Sequence, residues 1–213
     1  MTLNQINATY IIMNTKTDED TLKFCQFYNL IPKEKQCPKC NVNMNLVKNA
    51  KFTLGVSWRC PRPCKNTISI RDKTFFNKTK VKISEILLFI YYWSQEVCNF
   101  KYISKELKWA EHTFVKFKSS LREVCAIYFI RNPVLLGGPG RVVQIDESLF
   151  VRRKNNSGRM PNINWVFGGI DCLSKECFLL PVAQRNACTL IPIIRTYIRP
   201  GSIIMSDLWK AYD

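Results

Sequence analysis

Two cysteine pairs limit this chain more than any other feature: Cys37-x2-Cys40 and, twenty residues on, Cys60-x3-Cys64. Four thiolates in two knuckles supply a tetrahedral shell at about 2.3 Å per metal–sulfur bond. Pro38, Pro61 and Pro63 stiffen the knuckles. Between them Phe52, Leu54, Val56 and Trp58 alternate with more polar residues, as in a half-buried strand. This pattern predicts a zinc ribbon over residues 37–76, closed on one structural Zn ion held by Cys37, Cys40, Cys60 and Cys64. An iron–sulfur cluster would also use four cysteines, but the paired knuckles favour zinc. The chain has ten cysteines and no secretory pattern at residues 1–10, so reduced thiols and metal binding are expected rather than a disulfide framework. No apolar run reaches membrane-spanning length. The expectation is an intracellular protein without a membrane partner.

Around the ribbon the periodicity predicts helices. Residues 1–16 show no clear period and read as a loose arm. Residues 18–30 read as a short helix, with acids in the first turn, Phe24, Phe27 and Tyr28 on one face, and Pro32 as its stop; it is expected to pack on the ribbon. After the ribbon, Ile68, Ile70, Arg71 and Lys73 predict a last, basic strand. Residues 81–97 place Ile83, Ile86, Leu87, Ile90 and Tyr91 on one helical face. A short helix over 100–107, a turn at 108–111 and a long helix over 112–129 follow. In the long helix Phe114, Phe117, Leu121, Val124, Cys125 and Tyr128 form an apolar stripe. This trio, within 80–131, reads as helix-turn-helix, with Thr113, Lys116 and Ser120 facing DNA. A plain helical bundle with solvated lysines is the competing reading. The charge is uneven: of the net +16, residues 1–140 carry +12 and residues 141–213 carry +4, which a generally basic surface would also give but which here coincides with the ribbon and the helix trio. An excess of this size points to a polyanionic partner.

Two prolines and three glycines in 132–140 mark a linker. Beyond it the pattern is strand (141–150), strand (164–171), strand (176–182), helix (187–198), strand (202–205). Pro192 fits that helix only if the helix begins a few residues later. Asp146 and Glu147 lie near the end of the first strand, which leads into a basic loop with Arg152, Arg153 and Lys154; Asp207 follows the last strand. Two strand-end aspartates beside basic loops suggest a divalent-metal site handling phosphate. Two unrelated loop aspartates would give the same pattern. Glu147, next to Asp146, points to the opposite face of a strand, where a structural or salt-bridge role is expected. Asp171 and Glu176 read as turn residues, and His112, the one histidine, as a surface residue.

Five segments in order resemble Merlin-type DDE transposases, eukaryotic relatives of a bacterial insertion-sequence family. They are the ribbon, the helical segment, Gly137-Gly138-Pro139-Gly140, Ile145-Asp146-Glu147-Ser148 and Ser206-Asp207-Leu208-Trp209-Lys210-Ala211-Tyr212. The resemblance runs from about Leu22 to the last residue. It implies a multi-domain α+β chain: an arm with a short helix (1–36), zinc ribbon (37–76), helix-turn-helix-like segment (80–131), linker (132–140) and partial ribonuclease-H-like α/β domain (141–213). In that fold the first and fourth strands lie side by side. The resemblance makes Asp146 and Asp207 the first two catalytic acids and ligands of Mg or Mn. It also implies double-stranded DNA carrying terminal inverted repeats as partner, a homo-oligomer and a nuclear location. The family's third acid lies on a later helix, so the 213-residue chain is expected to be inactive by itself in cleavage or joining. A transposase-derived DNA-binding protein and a zinc-ribbon protein-interaction module are the alternatives.

Overall fold

The computed structural model describes residues 6–149 and 165–207. It is a mixed α+β chain in two compact units, Met1–Arg122 and Glu123–Asp213, divided within one long helix. Among the described residues no helix is long and apolar enough to cross a membrane.

The first unit opens with a helix where a loose arm was expected. Helix α1 (Ala8–Asn14) starts because the Asn7 side chain accepts a hydrogen bond from the Tyr10 N–H at 2.8 Å, and it buries Ile11. Helix α2 (Asp18–Phe27) is capped by Thr17, whose hydroxyl accepts from the Asp20 N–H and donates to its carboxylate. The helix stops before Leu30. Asn29 turns left-handed (φ +56°), and the N–H groups of Leu30 and Ile31 both fold back onto the Cys25 carbonyl. This local C-terminal turn ends the helix ahead of Pro32. As expected, α2 packs against the ribbon, at the turn carrying buried Leu54.

The ribbon is a three-stranded antiparallel sheet of β1 (Asn45–Lys48), β2 (Val56–Arg59) and β3 (Thr67–Ser69), with Trp58 opposite both Leu46 and Ile68. The basic last strand ends sooner than expected. Beyond Ser69 the chain turns inward, and Arg71 is buried. Its guanidinium donates to the Thr79 and Val81 carbonyls at 2.9 and 2.8 Å, tying down the approach to the next helix. A guanidinium spent on main-chain carbonyls is removed from any surface role.

Helices α3 (Ile83–Ser94), α4 (Phe100–Glu106) and α5 (Glu111–Arg131) follow. Their core is aromatic. Phe89, fully buried, stacks on Trp109 at 4.9 Å and meets Phe114 and Phe117 at 6.0 and 6.1 Å. The Trp109 N–H finds Glu85 at 3.0 Å, which satisfies its one polar atom. Of the apolar stripe on α5, Phe114, Phe117 and Leu121 are buried; Val124 and Tyr128 are exposed. The stripe outruns the core that its first half fills.

The second unit adds β4 (Leu136–Gly137), β5 (Val142–Leu149), β6 (Trp165–Asp171), β7 (Cys177–Val182), α6 (Ala187–Tyr197), β8 (Ile198–Arg199) and β9 (Ile203–Met205). Four strands form one sheet in the order β7-β6-β5-β9. Neighbours are antiparallel except β5 and β9, which run parallel; β4 and β8 make a separate parallel pair. One face buries Val143, Ile145, Phe167 and Phe178 with Leu190 of α6, and Phe178 lies 4.9 Å from the Tyr197 ring. Gly169 leaves room for that phenylalanine, since a Cβ there would come within 2.7 Å of its ring. Helix α6 starts at Ala187 despite Pro192. Asn186 caps it by accepting from the Thr189 N–H at 3.0 Å, and the strong cap with a buried Leu190 offsets the hydrogen bond that Pro192 cannot donate.

Asp171 does more than turn the chain. It is buried, pairs with Arg141 at 2.8 Å, and accepts N–H bonds from Gly137, Leu173 and Ser174. One carboxylate thereby ties the linker, the start of β5 and the β6–β7 turn together.

Candidate functional site

The sequence places the four ribbon cysteines at the ends of two loops, and the fold closes them. Each knuckle ends in a residue with left-handed backbone, Asn41 after Cys40 and Lys65 after Cys64. Hydrogen bonds from Asn41 N–H to the Cys37 carbonyl and from Lys65 N–H to the Pro61 carbonyl complete the turns. The sulfurs of Cys37 and Cys64 lie 3.8 Å apart, those of Cys40 and Cys60 3.4 Å, and all four fall within 4.8 Å of one another. A tetrahedron with 2.3 Å metal–sulfur bonds has edges of about 3.8 Å, so the group could hold a zinc ion. The electrostatics suit a thiolate. Burial pushes the Cys37 thiol up, yet N–H groups of Lys39 and Cys40 and the Asn66 amide hold it down, to about 6. Burial and the neighbouring sulfurs push Cys60 the other way. One sulfur of the set is prepared to ionise first, which a cation would then extend to the others.

Beside the ribbon, Arg59, Arg62 and Lys65 line a cleft of about 360 Å³ with Asn45 and Val47. The sequence reading did not single out these three cations. They stand nineteen to twenty-eight residues from Cys37 and Cys40, and only the closed knuckles gather them with β1. On α5 the spacing of Thr113, Lys116 and Ser120 puts them on one face. Lys116 is exposed, Thr113 and Ser120 are half-buried, and the Thr113 hydroxyl is 3.2 Å from His112.

The second candidate site lies in the second half of β5, whose pairing with β6 runs on to Leu149, so Asp146 falls inside the strand and not at its end as expected. Parallel pairing matches Val142 with Ile203, Val143 with Ile204 and Gln144 with Met205. The pairing ends there; Asp146 and Asp207 each follow two residues later, and Asp207 is near enough for its charge to act on Glu147. Asp146 stands on the open face, where a groove of about 380 Å³ runs past Gln144, Ser148, Gly168 and Leu179. Its carboxylate accepts from the Glu147 N–H at 2.7 Å. Glu147 sits on the opposite face, as the pleat requires, but in no salt bridge among the described residues. It is half-buried, and its Oε1 has no hydrogen-bond partner there. Burial, then the charges of Asp207 and Asp146, raise its carboxyl above the ordinary value, against the pull of Arg185. Arg185 itself lies over the Trp165 ring at 4.4 Å.

Three carboxylates therefore share this sheet end. They do not close to the ligand spacing that the four cysteines reach, the cysteines being the metal-ligand group found among the described residues. Arg152, Arg153, Lys154 and Asp213 lie outside the described residues.

No protein-family model matches the chain, and no solved structure does. The chain is similar to the Male abnormal protein mab-31 of Caenorhabditis elegans, at 25% identity over 158 residues. The match covers 65% of this chain and spans 36% of that relative's length.

Proposed function

We propose that this chain is the zinc-ribbon and DNA-binding part of a DDE-class transposase of Merlin type, or of a protein derived from one. The observation that carries the reading is the basic first unit. A four-cysteine ribbon bearing Arg59, Arg62 and Lys65 is followed by α4, a four-residue turn and α5 with Lys116 exposed. Two helices joined in this way, on a segment with net charge +12 over residues 1–140, suit a recognition helix in a DNA groove. Zinc on Cys37, Cys40, Cys60 and Cys64 would fix the ribbon and has no catalytic part, since four thiolates leave no open position.

The sheet order β7-β6-β5-β9, with β5 and β9 parallel, supports a partial ribonuclease-H-like domain. In this reading Asp146 and Asp207 would hold a Mg or Mn ion. Such an ion would polarise a phosphate oxygen and activate the attacking one. Each aspartate follows two residues after the last residues paired between β5 and β9, and the groove beside Asp146 is open. The chain's partner is double-stranded DNA with terminal repeats, and its site of action the nucleus.

The test is DNA affinity of the zinc-loaded chain by fluorescence anisotropy at two salt concentrations. If Arg59, Arg62, Lys65 and Lys116 each neutralise a phosphate, affinity falls about 150-fold between 50 and 200 mM salt. Lys116→Glu should weaken binding and lower that salt slope. Tight binding indifferent to salt, or none at low salt, rejects the reading. In the same preparation, DNA cleavage that requires Asp146 and Asp207 would show that the catalytic set is complete.

A further inference from the structure

Helix α5 carries an unexplained surface. From Val124 to Ile130 it has seven consecutive residues without a charge. Five of them are large and exposed: Val124 50%, Ile127 41%, Tyr128 61%, Phe129 57% and Ile130 70%. A helical segment that is apolar all round is normally covered. The buried stripe of Phe114, Phe117 and Leu121 shows how the same helix behaves when it has a partner.

We propose that this surface pairs with the same surface of a second copy of the chain, the two α5 helices running antiparallel about a two-fold axis at Ile127. The charges at its ends select this occupant. Glu123 precedes the apolar run and Arg131 follows it, each four residues from Ile127. In an antiparallel pair centred there, Glu123 of one copy comes level with Arg131 of the other, at both ends of the contact. Val124 comes level with Ile130, and Ile127 with itself. A parallel pair would instead set Glu123 against Glu123 and Arg131 against Arg131. The spacing fits as well: Glu123/Val124, Ile127 and Ile130/Arg131 recur every three to four residues along one face, as a helix–helix seam needs. Antiparallel helices also oppose their dipoles favourably. Such a contact is isologous, so it closes at two copies. Among the described residues Glu123 and Arg131 form no ion pair within the chain, and both are exposed.

Sedimentation equilibrium of the zinc-loaded full chain without DNA tests the pairing, independently of the nucleic-acid reading. The expected result is a monomer–dimer equilibrium within roughly 1–100 μM. Ile127→Glu places two like charges on the axis and should raise the dissociation constant at least ~100-fold, with unchanged circular dichroism. Glu123→Arg should weaken the dimer about tenfold, and Glu123→Arg combined with Arg131→Glu should restore it. A wild-type chain that stays monomeric across the range overturns the proposal and assigns the surface to a different partner. A dimer indifferent to Ile127→Glu, or a double charge reversal no better than the single one, overturns it too.

Discussion

Gly137 and Gly140 provide an internal control for how tightly the linker is locked onto the second unit. Both have φ +74°. An L side chain in the left-handed region costs about 1–2 kcal/mol, less about 0.4–1 kcal/mol recovered because alanine stiffens the unfolded chain. At Gly140 an added Cβ meets nothing within 4 Å, so Gly140→Ala should cost only that balance, about 1 kcal/mol. At Gly137 the added Cβ overlaps the Ser202 hydroxyl and comes within 2.9 Å of both Ser202 Cβ and Val143 Cγ2. None of these can withdraw cheaply. Ser202 accepts from the Gly138 N–H and donates to the Arg199 carbonyl, and Val143 is fully buried. Overpacking adds about 1–3 kcal/mol, which takes Gly137→Ala to about 2–4 kcal/mol. The readout is native-state hydrogen exchange of the β5 and β6 amides, since the chain has two units and no single unfolding transition describes it. Exchange of these amides should be roughly 5- to 150-fold faster in Gly137→Ala than in Gly140→Ala, at about 1.4 kcal/mol per decade. Equal effects from the two substitutions would refute the packing argument and reduce both to backbone strain.

Three more outcomes follow from the geometry. Purified protein should contain one zinc per chain; Cys60→Ser should lose most of it, and a chelator should unprotect β1–β3 amides while leaving β5 and β6 protected. The Ser174 N–H, against the effect of burial, and then the Arg141 guanidinium hold the Asp171 carboxyl well below the usual carboxylate range. A lowered acid stabilises the fold above its unfolded value and loses that stabilisation as pH falls toward the folded one. Protection of β5 and β6 should therefore decline below about pH 4 in the wild type, whereas Asp171→Asn should be less stable at pH 7 and lack that decline. Glu147→Gln should stabilise the second unit at pH 7, because the ionised carboxylate is half-buried near two others; a loss of protection in that variant would mean that Glu147 has a stabilising partner.

Periodicity and cysteine spacing made most of the elements readable, because each depends on a few neighbouring residues. The ribbon knuckles and the three helices after them belong to this class, whereas the adjacency of the strands before Asp146 and Asp207 was implied by the family resemblance and not by any local pattern. The misses needed information from further away, or from signals too short to stand out. Helix α1 is seven residues long and buries only Ile11, so its sign was the Asn7 cap, not a period. The end of α2 lay in Asn29, a residue that tolerates the left-handed turn, and not in Pro32. Arg71 reads from sequence as part of a basic last strand; only the fold brings the Thr79 and Val81 carbonyls to its guanidinium. For Glu147 the alternation of the strand was right, but which face α6 would cover could not be known from the strand alone.

The continuity of α5 turns a helix into a ruler. Lys116 lies eleven residues before Ile127 on one unbroken helix, about 16 Å along its axis at 1.5 Å per residue. In the antiparallel pair the two lysines stand about 33 Å apart along that axis, outside the overlapping ends and pointing away from the two-fold. One turn of duplex DNA is about 34 Å. If α5 reads DNA as proposed above, a target read by both copies would be an inverted repeat with half-sites about one turn apart. Inserting or deleting five base pairs between the half-sites would put them on opposite sides of the duplex.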